Sequence, residues 1–206
     1  ELLRQKEILL QEMQHRVANS LQIIASILLL KALTVQSEEI RLHLEDAHQR
    51  VMSVATVQQQ LHASGLNESI EIGPYLSKLC DSLAKSMIGD RRPISIKVQV
   101  TSGAAASSEA VSLGLIVTEL VINALKHAFP SGEGGEILVR YGASGSGWRL
   151  SVADNGTGPP DVSAERPHLG LGTSIVEALA RQLDAIVEKS SGAQGTTVSI
   201  VGGTGA

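Results

Sequence analysis

Glu119-Leu120-Val121-Ile122-Asn123-Ala124-Leu125-Lys126-His127-Ala128-Phe129-Pro130 sorts its residues onto two faces of a helix. Glu119, Asn123, Lys126 and His127 fall within about 100° of one another, while Leu113, Val117, Leu120 and Ala124 take a different face. The apolar face is suited to packing on a sheet. The polar face offers a carboxylate, an amide, a cation and an imidazole. An amide oxygen such as that of Asn123 is a hard donor suited to Mg2+ that also touches phosphates. Lys126 supplies a point charge for the same anions. Spacing alone describes an ordinary amphipathic helix with solvated polar residues equally well.

Three shorter stretches follow downstream. Asp154-Asn155-Gly156-Thr157-Gly158 comes directly after a strand-like run, so its carboxylate sits at a strand end. There it can accept a hydrogen bond from an adenine amino group, and Gly156 and Gly158 are expected to let the backbone approach a base and take positive φ. An Asp-Asn-Gly string is also common turn material. Leu169-Gly170-Leu171-Gly172-Thr173 opens a helix, whose free N–H groups and positive dipole end suit phosphate. Gly195-Thr196-Thr197-Val198 reads as a strand.

The surrounding elements are mixed. Pro74 is expected to open a helix through about Met87. Ile94, Ile96, Val98 and Val100 alternate as a half-buried strand. Ser107 or Ser108 is expected to cap a helix running to about Ala128. Glu136–Tyr141 and Trp148–Ala153 form two strands, a helix follows from about Gly172 to Leu183, and Ala185–Lys189 with Thr196–Val201 close a hairpin. This predicts an α/β sandwich with helices on one face of a mixed sheet.

Upstream the pattern is purely helical. Leu10, Met13, Val17, Leu21, Ile24 and Leu28 recur at steps of three and four from about Leu2 to Leu33. Beyond Leu21 that helix is apolar nearly all round, which predicts that other helices surround it. Ser37 is a good N-cap ahead of Glu38 and Glu39. The second helix carries Ile40, Leu44, Ala47, Val51, Val54 and Leu61. A hairpin roughly 40 Å long cannot bury this much apolar surface alone, so two hairpins are expected to form a dimeric four-helix bundle. His15 lies about 160° from the Met13–Val17 stripe and is expected to face solvent, with Asn19 one turn later on the same face. His43, His48 and His62 read as ordinary solvated histidines. An outward imidazole with a polar neighbour to fix its tautomer suits a nucleophile presented to another domain.

The domain boundary falls at residues 1–64 and 65–206. Composition narrows the function classes. Of 206 residues only 2% are aromatic and the net charge is −4, which disfavours a nucleic-acid partner. Cys80 is single and sits at an apolar helical position, which reads as a buried thiol in a reducing cytosol. The run Ile23–Leu30 is too short to span a bilayer, and no signal peptide is visible. No Walker A string is present, which excludes a P-loop enzyme. The chain starts inside a helical pattern without Met, and it is expected to be the output part of a longer protein.

The string His15-Arg16-Val17-x-Asn19-x-Leu21-Gln22-Ile23-Ile24 resembles the dimerisation and phosphoacceptor segment of the HisKA_2 histidine kinases, close to the HWE kinases. It departs from that pattern at Ala18, usually Lys, and at Ser20, often Asn. The Glu119–Pro130 run resembles the N box of the Bergerat (GHKL) ATP-binding fold. Asp154–Gly158 resembles its D box and Leu169–Thr173 its second glycine box. Gly195–Val198 resembles its last strand, where a Thr, here Thr196, supports the adenine-binding Asp. The stretch between Gly158 and Gly170, with Pro159, Pro160 and Pro167, would be the ATP lid, without an aromatic-bearing F box.

The resemblance implies an ATP-dependent protein-histidine kinase of a bacterial two-component system, cytoplasmic in this portion and following an input domain. His15 would accept the phosphoryl group beside Asn19, with Glu119 near the γ-phosphate. Asn123, Lys126, His127, Asp154, Gly156, Gly158, Gly170, Leu171, Gly172 and Thr196 would hold ATP, and Asn123 would ligate Mg2+. A response-regulator receiver domain would take the phosphoryl group from a kinase homodimer. The residue after His15 is Arg16 rather than an acid, which leaves the base open between Glu12 and Glu119. A non-enzymatic phosphotransfer adaptor is the alternative, and it would be expected to lose the D and glycine boxes.

Overall fold

A computed structural model describes residues 2–63, 69–88, 93–129, 134–157, 171–192 and 194–203. The chain separates into two compact units, 1–67 and 68–206.

The first unit is a helical hairpin of α1 (Leu2–Thr34) and α2 (Glu38–Ala63). Ser37 caps α2 as the sequence suggests: its carbonyl accepts from Arg41 N–H at 3.0 Å, and its Oγ lies 3.5 Å from Ile40 N. The seam differs from expectation. Ala18, Ala25 and Ala32, seven residues apart, are buried on α1, against Ser53, Ala55, Val57 and Leu61 on α2. Small side chains let the two backbones approach, and His48 Nδ1 reaches the Ala25 carbonyl at 2.8 Å. His48 is therefore an inter-helix bridge, not a solvated histidine. Met13, Val17 and Ile24, from the predicted stripe, are 63%, 49% and 46% exposed. A single partner helix covers only one side of a helix that is apolar nearly all round.

The expected α2 core shifts in the same way, since Ile40 is exposed while Val57 is fully buried. The window Arg16–Thr34 has a mean hydropathy of 1.6 and is long enough to cross a membrane, so length does not exclude a span as the shorter run Ile23–Leu30 suggested. Ser107–His127 also meets that criterion, but it is 72% buried as the core helix of the second unit.

The second unit is built on a five-stranded sheet of β2 (Ile94–Val100), β4 (Gly135–Ser144), β5 (Gly147–Asp154), β6 (Ile186–Gly192) and β7 (Gly195–Gly202). Its order is β2-β4-β5-β7-β6, with β2 and β4 parallel and every other pair antiparallel. Ile137, Val139, Tyr141, Leu150, Val152 and Ile200 point inward from alternating positions. They meet the apolar faces of α3 (Ile72–Leu83), α4 (Ser107–His127) and α5 (Leu171–Gln182). The other sheet face carries charged pairs such as Arg149–Glu188.

Two three-residue strands, β1 (Ser69–Glu71) and β3 (Ala104–Ala106), pair in a small second sheet that sequence patterning missed. An Ala-Ala-Ala strand carries no strand signal of its own. Helix α3 begins at Ile72, so Pro74 lies inside the first turn, where its missing N–H costs nothing, and does not open the helix. A π-helical turn, Ala84–Ile88, continues it. The cap of α4 is Ala106, not Ser107 or Ser108. Glu109 in the first turn accepts from Ala106 N–H at 3.0 Å, and among the described residues no side chain caps the first-turn N–H groups that a serine hydroxyl was expected to satisfy.

Candidate nucleotide and phosphoacceptor sites

Strand β5 ends at Asp154, on the inward side of the sheet beside the C-terminal end of α4. Its Oδ1 accepts hydrogen bonds from Gly156 N–H at 3.1 Å and from Thr196 N–H at 3.2 Å. Two backbone donors on one oxygen fix the orientation of the carboxylate. Among the described residues nothing donates to Oδ2. The support from Thr196 thus comes from its main chain, not its hydroxyl.

The turn after Asp154 is locked from both sides. Asn155 N–H donates to the Glu136 carbonyl at 3.2 Å, and Asn155 Oδ1 accepts from Glu136 N–H at 2.7 Å. Thr157 N–H donates to the Ala128 carbonyl at 3.1 Å. A Cβ on Gly156 would overlap that same carbonyl, whereas its φ is not positive. Gly156 is therefore required by the approach of the turn to the end of α4, not by a left-handed backbone as the sequence suggested. Gly195 does take φ +115°, and a Cβ there would strike the Asp154 carbonyl.

A cleft of about 420 Å³ opens over Asp154 between α4, α5 and the sheet. Helix α4 lines it with Leu120, Asn123, Ala124, His127 and Ala128, and the strands with Val152, Asp154, Thr196 and Val198. Of the polar α4 face, Asn123 and His127 reach the cleft. Glu119 is only 4% exposed and Lys126 lies at the surface; neither lines the cleft among the described residues, and each has a partner. Gly172 is buried in the first turn of α5. Gly158 and Gly170, like the side chain of Leu171, lie outside the described residues.

Thr173, the end of the Leu169–Thr173 string, lines the cleft, and sequence reading missed four further lining residues: Val176 and Glu177 on α5, and Val187 and Lys189 on β6. Their inward positions depend on helix docking and strand register rather than on any local string. Among the described residues no group of three or more His, Cys, Asp or Glu side chains could hold a metal. Asn123 brings an amide oxygen to the cleft, a hard donor of the kind that suits Mg2+.

In the first unit, His15 lies within α1, and its side chain is outside the described residues. Its neighbours are described. Arg16 pairs with Glu12 one turn earlier at 2.5 Å, and Ser20 Oγ donates to the Arg16 carbonyl at 2.8 Å. Asn19 is exposed. Glu12, one of the two candidate bases, is thus engaged by the arginine that follows the histidine.

Residues 12–87 match the profile of the HisKA_2 histidine kinase family, and residues 108–201 match that of the histidine kinase-, DNA gyrase B- and HSP90-like ATPases. The chain belongs to the histidine kinases. It is 30% identical over 197 residues to blue-light-activated histidine kinase 2 of Erythrobacter litoralis, covering 93% of this chain and 56% of that protein. It is 31% identical over 175 residues to the sensor histidine kinase PdtaS of Mycobacterium tuberculosis, covering 84% of this chain and 34% of that protein. The chain thus spans about half or less of these curated relatives. The solved histidine kinase domain of the Erythrobacter litoralis EL346 blue-light-activated kinase superposes with a TM-score of 0.66 at 26% identity. That match covers 91% of this kinase core and 94% of the solved chain.

Proposed function

We propose that this chain is the catalytic core of an ATP-dependent protein-histidine kinase that phosphorylates His15. Residues 1–64 form the dimerisation and phosphotransfer unit, and residues 65–206 form the ATP-binding unit. The observation that carries the reading is Asp154, a carboxylate held by two backbone N–H groups in a largely apolar cleft that Asn123 and His127 enter from α4.

In this reading Asp154 accepts from the adenine amino group, with Thr196 and Gly156 holding its other oxygen. Val152, Val198 and Ala124 exclude water around the base. His127 and the N-terminal turn of α5 at Gly172 face the phosphates, and Lys126 adds positive charge from the adjoining surface of α4. Gly158 begins the lid. Asn123 holds Mg2+, which when bound neutralises phosphate charge. A His15 ring nitrogen attacks the γ-phosphorus, the bond to the β-phosphate oxygen breaks, ADP leaves, and the imidazole proton passes to a base. Glu119 and Asn19 position these groups. Phosphoryl transfer rests mostly on positioning and charge neutralisation, so the intact cleft matters more than any single base.

The exposed apolar side of α1 supports a homodimer built by pairing two hairpins, and an aspartate on a response-regulator receiver domain would accept the phosphoryl group. We place this portion in the bacterial cytoplasm, following an input domain. Titration with Mg-ATP tests the reading. Wild-type protein is expected to bind ATP and Asp154→Ala to lose binding; equal binding by both would overturn it, and no binding by either would favour the phosphotransfer adaptor.

A further inference from the structure

We propose that Lys189 is a second base-reading residue of the nucleotide cleft, donating from the β6 side to a ring nitrogen of the purine whose amino group Asp154 accepts. This rests on the adenine-nucleotide reading above. The register sets the argument. Val139 lies opposite Val152, Val152 opposite Val198, and Val198 opposite Lys189, so one lateral row across the helix-facing side of the sheet runs through three valines and ends in an ammonium. The surface-facing neighbour Glu188 has its own partner, Arg149, at 2.9 Å on the other side of the sheet. Lys189 instead lines the cleft.

Lys189 lines the cleft from its exposed β6 edge, where its aliphatic stem covers apolar surface and its ammonium stays in water. Glu177 lines the same cleft from α5. Among the described residues no ion pair or hydrogen bond engages the Lys189 ammonium. Its donors are open to a ligand.

Position then selects the part of the ligand. Lys189 lies two strands across and two residues along from Asp154, about 12 Å between Cα atoms at ordinary strand spacing. An aspartate reaching in from one end and a lysine from the other leave room for one purine between them. Lysine has three donors and no acceptor. On the edge away from the amino group, both adenine and guanine carry a ring nitrogen acceptor, so Lys189 adds affinity for a purine without selecting between the two. Asp154 demands an amino group where guanine carries a carbonyl, so discrimination against guanine rests on Asp154.

The test compares wild type, Lys189→Met and Lys189→Arg with ATP, adenosine and tripolyphosphate, by competition against a fluorescent ATP analogue. Lys189→Met is expected to weaken ATP and adenosine by the same factor, about tenfold, and to leave tripolyphosphate unchanged. Lys189→Arg, which keeps the charge and the donors, is expected to retain most of the affinity for both. Loss confined to ATP and tripolyphosphate would show a phosphate contact and overturn the proposal, as would unchanged ATP affinity. Failure of the nucleotide reading itself is distinguishable, because wild type and Asp154→Ala would then bind ATP equally.

Discussion

At Gly156, one hydrogen atom in place of a side chain allows the Asp154 turn to lie against the Ala128 carbonyl. Gly156→Ala is expected to push that turn away and destabilise the fold by about 1–3 kcal/mol, with ATP affinity falling further than thermal stability. Parallel calorimetry and nucleotide titration check it; unchanged ATP affinity would contradict the packing account. Tyr75 presents the opposite case. It is fully buried on α3, and among the described residues its hydroxyl has no hydrogen-bond partner. Tyr75→Phe removes an unsatisfied polar atom without changing shape, and is expected to leave stability unchanged or raise it by about 1 kcal/mol, read by urea unfolding.

Burial pushes the nearby Cys80 thiol up to about 12, with a smaller push from Asp81. The same burial raises the Tyr75 phenol. Both groups hold their protons more tightly folded than unfolded. Their contribution to stability is therefore complete below the ordinary thiol value of 9.0 and is lost as pH rises toward 12. Cys80→Ala is expected to flatten the alkaline fall in the unfolding midpoint. The thiol itself is expected to resist alkylation at pH 8 in the folded protein.

Among the elements, the hairpin seam shows how much was legible and why the rest was not. The α1 and α2 spans, the α4 helix and all five strands of the main sheet follow from periodicity. Which face of α1 packs inward did not, because apolar residues occupy nearly every direction and the seam is marked only by alanines. Ala25 is 1% exposed and its carbonyl receives His48. Ala25→Leu is expected to force the helices apart and cost about 1–3 kcal/mol, followed by helical signal on heating, while leaving ATP binding to the other unit intact.

The candidate site divides on similar lines. Asp154, Asn123 and His127 were visible because their strings are local. Glu177 and Lys189 were not, since only the pairing of β6 with β7 and the docking of α5 turn them into one cleft. Asn155, which looked like turn filler, proved to be the side chain that ties the turn to β4.

For the whole molecule, the proposed reaction would draw on both units: a helix carrying His15 and a cleft built around Asp154. Apolar side chains on α1 such as Met13, Ile23, Ile27 and Leu30 stand exposed on the single hairpin. Light scattering over a dilution series is expected to show a dimer. Charged substitutions at Ile23 and Ile27 together are expected to yield monomers that still bind ATP. The most direct test of the account is incubation with γ-labelled ATP and Mg2+, followed by acid and alkali treatment. The account predicts acid-labile, alkali-stable label on the wild type and none on His15→Ala, although that variant still binds ATP. Label retained on His15→Ala, or label that survives acid, would contradict it.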